Sequence, residues 1–199
     1  PVAYLDDYLA QTRRLESEIA LLPQKSTQRV VELIQFCAAV SSSSYKGDES
    51  DRIATLLMNL LGKEKADFSV AAALDRDVRK ACVSALIIMR NKGTVEPLDL
   101  LQLFFNVMVS VAEKGLREML YRHIANDIRN LNKKGKREEK VNRSIQTFLH
   151  RIVQTSTAAN DEAAEIASKR AVNIVCELYR RRIWTDEKAV AIVATAVES

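Results

Sequence analysis

The sequence predicts an all-α fold, an array of antiparallel helix pairs. Apolar residues recur every three or four positions along most of the chain, the signature of amphipathic helices. Helix breakers are scarce, five Gly and three Pro in 199 residues. Aromatic residues make up only 6% while Ala and Leu are abundant, which favours helix over sheet. With 47% hydrophobic residues the chain can build a substantial core rather than remain disordered.

The elements follow in order. Residues 2–22 carry Leu5, Tyr8, Leu9, Leu15, Ile19 and Leu22 on one face, and Pro23 closes that helix. Ser26 or Thr27 caps a second helix through Val40, and Ser41 to Gly47 reads as a loop. A short helix begins at Ser50 or Asp51 and stops at Gly62, followed by a polar connection over 63–67. Asp75 or Asp77 caps a helix to Asn91, with Gly93 placed as its C-terminal cap. Pro97 suits the first turn of the next helix, 98–111, which is apolar on most sides and is expected to be central. Leu116, Leu120, Ile124, Ile128 and Leu131 mark the following helix, and residues 133–137 form a loop around Gly135. A helix over 141–154, a break over 155–160, a long helix over 161–182 and a last one capped by Thr185 or Asp186 complete the chain.

Three helix ends superpose: Arg90 in LIIMRNKG, Arg129 in ANDIRNLNK and Arg180 in CELYRRRIW. Their separations, 129 − 90 = 39 and 180 − 129 = 51, bracket the period of about 40 to 47 residues of HEAT and armadillo repeats. The expected architecture is a HEAT/armadillo-like solenoid, one helical-repeat domain over 1–199, less regular over 1–67 and regular over 68–199. A plain helical bundle is the competing arrangement. The opening at Pro1 and the helical pattern still running at Ser199 mark the chain as a piece of a longer protein.

Basic character is local. Between Arg117 and Arg143 there are nine Lys or Arg against four Asp or Glu, a balance of +5, while the whole chain carries +4. Lys133, Lys134, Lys136, Arg137, Lys140 and Arg143 are the candidates for contact with RNA phosphates, with Arg122 and Arg129 in support. A solvated helix–helix loop or a nuclear-import-like cluster accounts for the same charges. Arg180, Arg181, Arg182 and Trp184 form a second cluster, suited to RNA stacking or a protein hot spot. The alternative there is a tryptophan packed between repeats with snorkelling arginines. No catalytic constellation is evident. His123 and Asp127, one turn apart, lack a third metal ligand, and the lysine loop lacks the glycines and Ser/Thr of a P-loop. The odd set Cys37, Cys82 and Cys176 reads as core thiols in a reducing compartment. No run is long and apolar enough for a membrane span. No enzyme, cofactor, metal, membrane or small-molecule substrate is expected.

MLYRHIANDIRNLNKKGKREEKVN (119–142) resembles the Leu-Tyr-x-His-Ile-x-x-Asp-Ile-Lys/Arg-Asn-x-Asn stretch of the SDA proteins, named for severe depolymerisation of actin. LIIMRNKGTVEPLDLLQLFF (86–105) and ELYRRRIWTDEKAV (177–190) resemble further blocks of that family, in the same order. Tyr4-Leu5 and Tyr8-Leu9 loosely match its opening segment, so the likeness covers most of the chain and points to the amino-terminal domain. Departures concentrate in 41–67 and 156–167.

The resemblance implies a non-enzymatic nucleolar and nucleoplasmic factor for assembly and export of the large ribosomal subunit. It would act as a scaffold touching ribosomal RNA, ribosomal proteins and other assembly factors, as a monomer within the larger particle. Direct actin binding is not implied. Two rivals are a peptide-binding adaptor for nuclear-transport cargo, which predicts recurring Trp and Asn along a groove, and an enzyme-regulatory domain.

Overall fold

The computed structural model describes residues 4–22, 27–133, 137–159 and 161–197, with the backbone alone for 157–159. The expectations for Val2, Pro23, Ser26, Lys134, Gly135, Lys136 and Asn160 fall outside the described residues. Of the described residues 81% are helical, forming ten helices and no strand. It divides into two compact units, Pro1–Leu103 and Phe104–Ser199.

The first unit contains α1 (Leu5–Ala20), α2 (Thr27–Ser44), α3 (Asp48–Leu60), the short α4 (Ser69–Ala73) and α5 (Arg76–Asn91). Helix α2 is its centre, packing against α1, α3 and α5. Its inward stripe of Val30, Ile34, Cys37 and Ala38 is wholly buried with Leu15, Ile53, Leu57, Cys82 and Leu86 from the surrounding helices. Each buried side chain of Leu or Ile size contributes roughly 1.5–3 kcal/mol. Polar ties supplement the packing. Arg52 Nη2 meets Glu16 Oε1 at 2.6 Å, and the Tyr8 and Tyr45 rings stack at 4.6 Å.

Helix α2 runs four residues further than expected. Serine is a weak helix former because its hydroxyl competes for backbone groups. Here the hydroxyls bond back along the helix, Ser41 Oγ to Ala38 O at 3.3 Å and Ser43 Oγ to Ala39 O at 2.7 Å. Ser41 and Ser42 are buried, so packing holds the last turn and the chain breaks only at 45–47. Helix α3 starts at Asp48 rather than at Ser50 or Asp51. Ser50 lies in its first turn, where its Oγ accepts the Gly47 N–H at 3.2 Å.

Helix α4 was not foreseen from the sequence. Arg79, 7% exposed, donates from Nη1 to the carbonyls of Ala71, Ala72 and Leu74 at 2.9, 3.2 and 3.0 Å. That guanidinium satisfies the orphan carbonyls at the end of α4, where a five-residue helix cannot hold itself.

Asp75 caps α5 as expected, accepting from the N–H groups of Asp77 and Val78. At its other end Gly93 (φ +77) donates to Arg90 O and Thr94 donates to Met89 O, a Schellman closure. Helix α6 (Pro97–Ser110) follows, and the division between the units falls within it. Leu100, Leu101, Leu103, Phe104, Phe105, Val107 and Met108 are all buried, in keeping with its continuous apolar sequence.

The second unit continues with α7 (Lys114–Leu131), α8 (Glu139–Ala159), α9 (Glu162–Arg180) and α10 (Glu187–Val197). Helix α8 packs on α9 and α10, α10 also packs on α9, and α7 packs on α9. The periodic set Leu116, Leu120, Ile124, Ile128 and Leu131 is buried with Ile145, Leu149, Ile174 and Leu178. Phe105 meets Phe148 edge-on at 5.7 Å, and Phe104 meets His123 likewise at 5.4 Å. The break expected over 155–160 is helical as far as Ala159. Thr155 and Ser156 return their hydroxyl protons to the carbonyls of Arg151 and Val153, as the serines of α2 do.

Candidate nucleic-acid interface

The basic loop between α7 and α8 is anchored at both ends by one side chain. Asn142 Oδ1 accepts from Asn132 Nδ2 at 2.8 Å and from Trp184 Nε1 at 2.9 Å, while Asn142 Nδ2 donates to Glu138 O at 2.9 Å. Asn132 Nδ2 also donates to Ile128 O at 2.8 Å, which closes the last turn of α7. The Glu138 N–H donates to Leu131 O at 3.1 Å, so the loop leaves and re-enters the helices through a hydrogen-bonded neck. Asn142 is buried, and the three groups it joins come from the end of α7, the start of α8 and the turn after α9. This role of Asn132 and Asn142 is not legible from sequence, because carboxamides usually mark caps and turns.

Lys133, Arg137, Lys140 and Arg143 are exposed around that neck, and Arg122 and Arg129 are exposed on α7. Lys134 and Lys136 lie outside the described residues. Not all of this charge is equally available. Arg137 Nε meets Glu139 Oε1 at 2.6 Å and its Nη2 lies 4.0 Å from Asp186 Oδ2. Asp186 is itself occupied, accepting from Gln146 Nε2 and from the Ala189 N–H as the cap of α10. Partly exposed pairs of this kind are worth little and yield readily to a phosphate competitor.

The second cluster separates. Arg180, Arg181 and Arg182 are exposed, but Trp184 is 0% exposed and does not serve as a surface stacking or hot-spot residue. The backbone explains the correction. Arg182 adopts φ +56, its N–H donates to Tyr179 O, and the Ile183 N–H donates to Leu178 O at 2.9 Å. This is the same Schellman closure that ends α5, with arginine where α5 has glycine. It turns the chain inward after the arginines, so the indole enters the core and its N–H reaches Asn142.

A third basic feature unites residues distant in sequence. Between α7 and α9 lies a cleft of about 410 Å³ lined by Arg117, Arg122, Arg170 and Arg181 against one acid, Glu118. Met108 and Ala125 supply apolar lining, and Tyr121 Oη bridges to Asn173 O at 3.2 Å. Arg181 Nε meets Glu177 Oε1 at 2.7 Å and Glu118 lies 4.0 Å from Lys114, whereas Arg117, Arg122 and Arg170 form no ion pair among the described residues. Arg170 Nε is buried with no hydrogen-bond partner among them. Burial, and then the neighbouring charge of Arg117, lower the pKa of Arg170. Arg117 and Arg170 stand on helices that meet only after folding. No charge run marks them in the sequence.

Among the described residues no group of three or more His, Cys, Asp or Glu could hold a metal ion, and no helix is long and apolar enough to cross a membrane.

The family model described as "SDA1, HEAT repeat" matches residues 36–199. The chain is 34% identical over 200 residues to the Protein SDA1 homolog of Drosophila melanogaster, an alignment covering 98% of this chain and 25% of that protein. It is 32% identical over 201 residues to the Xenopus tropicalis homolog, covering 98% of this chain and 26% of that protein. For the Nematostella vectensis homolog the identity is 32% over 195 residues, covering 96% and 26%. The chain thus spans about a quarter of the length of these relatives.

Proposed function

The chain belongs to the SDA1 HEAT-repeat family, and from that premise we propose that it is a non-enzymatic assembly factor for the large ribosomal subunit. It binds precursor ribosomal RNA and other assembly factors and holds them together during maturation and export, in the nucleolus and nucleoplasm. The activity is binding, carried by charge presented on a helical array. Repeat arrays suit such work because each unit is stabilised by its neighbours and leaves an extended face free.

The observation that carries this reading is the anchored basic loop. Lys133, Arg137, Lys140 and Arg143 sit exposed around a neck fixed by Asn132, Asn142 and Trp184. A loop held at its base loses less conformational freedom on binding than a free lysine-rich strand. The cargo-adaptor alternative wants surface tryptophan, and the single Trp184 is buried.

The test is ultraviolet crosslinking of the tagged full-length protein in cells, with sequencing of the attached RNA. Crosslinks to large-subunit precursor rRNA, lost when residues 133, 134, 136 and 137 are reversed to glutamate, are expected. Absence of any rRNA crosslink would remove the RNA component and leave a protein-only scaffold.

A further inference from the structure

We propose that the α7–α9 cleft is a second RNA contact, seating phosphodiester groups of single-stranded RNA on Arg117, Arg122, Arg170 and Arg181. The proposal rests on the RNA-scaffold reading above and adds a binding site to it.

Four guanidinium groups share the lining of one cleft with a single carboxylate, and three of the four are in no ion pair among the described residues. Holding like charges together in a half-buried site costs stability unless an anion joins them. Arg170 makes the strongest case. Its Nε–H is buried and donates to nothing among the described residues, although an unmade bond to a charged group of this kind is costly. An oxyanion in the cleft would offset the repulsion between the Arg170 and Arg117 guanidinium groups, both of which line it. Arginine suits the task because its planar fork presents two parallel N–H groups to the oxygens of a phosphate.

Neighbouring charge favours a nucleic-acid strand over an acidic protein side chain. One carboxylate would balance one of the guanidinium groups, whereas an RNA backbone brings a charge with every nucleotide. The basic residues also continue out of the cleft. Arg122 and Arg129 are seven positions apart on α7, hence on one face and about 10 Å apart along the axis. Both are exposed, and Lys133 follows four residues later at the anchored loop. A strand leaving the cleft along α7 therefore meets further cations before it reaches Lys140 and Arg143.

The test is fluorescence anisotropy of the 199-residue chain with labelled oligouridine, titrated over a range of salt, with poly-L-glutamate as competitor. The variants are Arg122→Gln, Arg117→Gln/Arg122→Gln and Arg170→Gln, beside the loop variant Lys133→Gln/Lys140→Gln. Each cleft arginine removed should lower the log–log salt slope by about 0.7, so the double variant loses about 1.4, additively with the loop variant. Arg122 is exposed, so its variant keeps the fold, and equal urea midpoints check this for the others.

Unchanged affinity and slope in the cleft variants, with loss in the loop variant, would overturn the cleft and spare the RNA reading. Failure of the unaltered chain to bind oligouridine would overturn both. Cleft-dependent binding of poly-L-glutamate that oligouridine does not displace would overturn the proposal in favour of an acidic protein segment.

Discussion

Asn132 and Asn142, on opposite sides of the basic loop, are joined by a 2.8 Å hydrogen bond from Nδ2 of the first to Oδ1 of the second. The same oxygen receives the Trp184 indole N–H, so one carboxamide holds the end of α7, the start of α8 and the turn after α9. Asn142→Leu takes the acceptor from the buried Trp184 indole N–H and from one Asn132 amide N–H, while the Glu138 carbonyl keeps the backbone N–H of residue 142. It is expected to lower stability by about 2–4 kcal/mol, read from the urea midpoint. Trp184→Phe removes one donor and leaves Asn142 bonded to Asn132, and its cost should be about 1–2 kcal/mol. Equal costs for the two would show that the bonds do not converge on Asn142.

Two glycines with positive φ should answer differently to alanine. A Cβ on Gly62 (φ +96) would lie 2.2 Å from the Asp67 carbonyl oxygen, a backbone atom. Gly93 (φ +77) has nothing within 4 Å of that position. Gly93→Ala therefore incurs only the left-handed backbone cost, about 1–2 kcal/mol. Gly62→Ala also forces the 62–67 turn apart, and a loss of about 3 kcal/mol or more is expected from the same measurement.

Arg182 occupies the left-handed position of the closure after α9 (φ +56), which α5 fills with Gly93. Arg182→Gly should raise stability by about 1 kcal/mol, the relief of a strained non-glycine residue less the greater freedom of glycine in the unfolded chain. Thermal unfolding at high salt, where lost surface charge counts little, isolates the backbone effect. A fall in Tm would show that the arginine side chain earns more than its backbone strain costs.

Burial pushes the Cys82 thiol from its ordinary 9.0 up to about 12. Burial, and then the charge of Glu16, push Cys37 from 9.0 to about 11. The unfolded chain loses these protons first, so their contribution to stability is complete below pH 9 and is lost as pH rises through the folded values. The urea midpoint should be level up to about pH 9 and decline above it, with a shallower decline in Cys82→Ala. Cys176, partly exposed, should be the first thiol to react with a disulfide reagent in the folded protein.

Helix caps were the most legible part of the fold. Asp75, Gly93, Asp161 and Asp186 stand where their side chain or backbone freedom predicts, because capping depends on neighbours within a turn. The serine run after Val40 and the Thr-Ser pair after Gln154 misled for the same local reason in reverse. Their hydroxyls read as breakers, and whether they bend back onto the helix is settled by packing, as with Ser41 and Ser42. The basic loop was visible as a charge run. Arg117 and Arg170 were not, since their closeness exists only through the packing of α7 on α9. For Trp184 the sequence leaves two readings open, surface contact or packed indole, and the turn at Arg182, which nothing local announces, decides for the packed one.

The buried indole also makes the protein its own optical reporter. Trp184 is the only tryptophan in the chain and lies in the unit formed by 104–199, shielded from water and hydrogen-bonded. Its emission therefore follows the melting of that unit alone, whereas circular dichroism sums the helices of both. Coincident denaturation curves from the two signals would mean that the units unfold as one cooperative body. Curves that separate would mean that 4–103 and 104–197 melt independently, and their offset would give the stability difference between the halves.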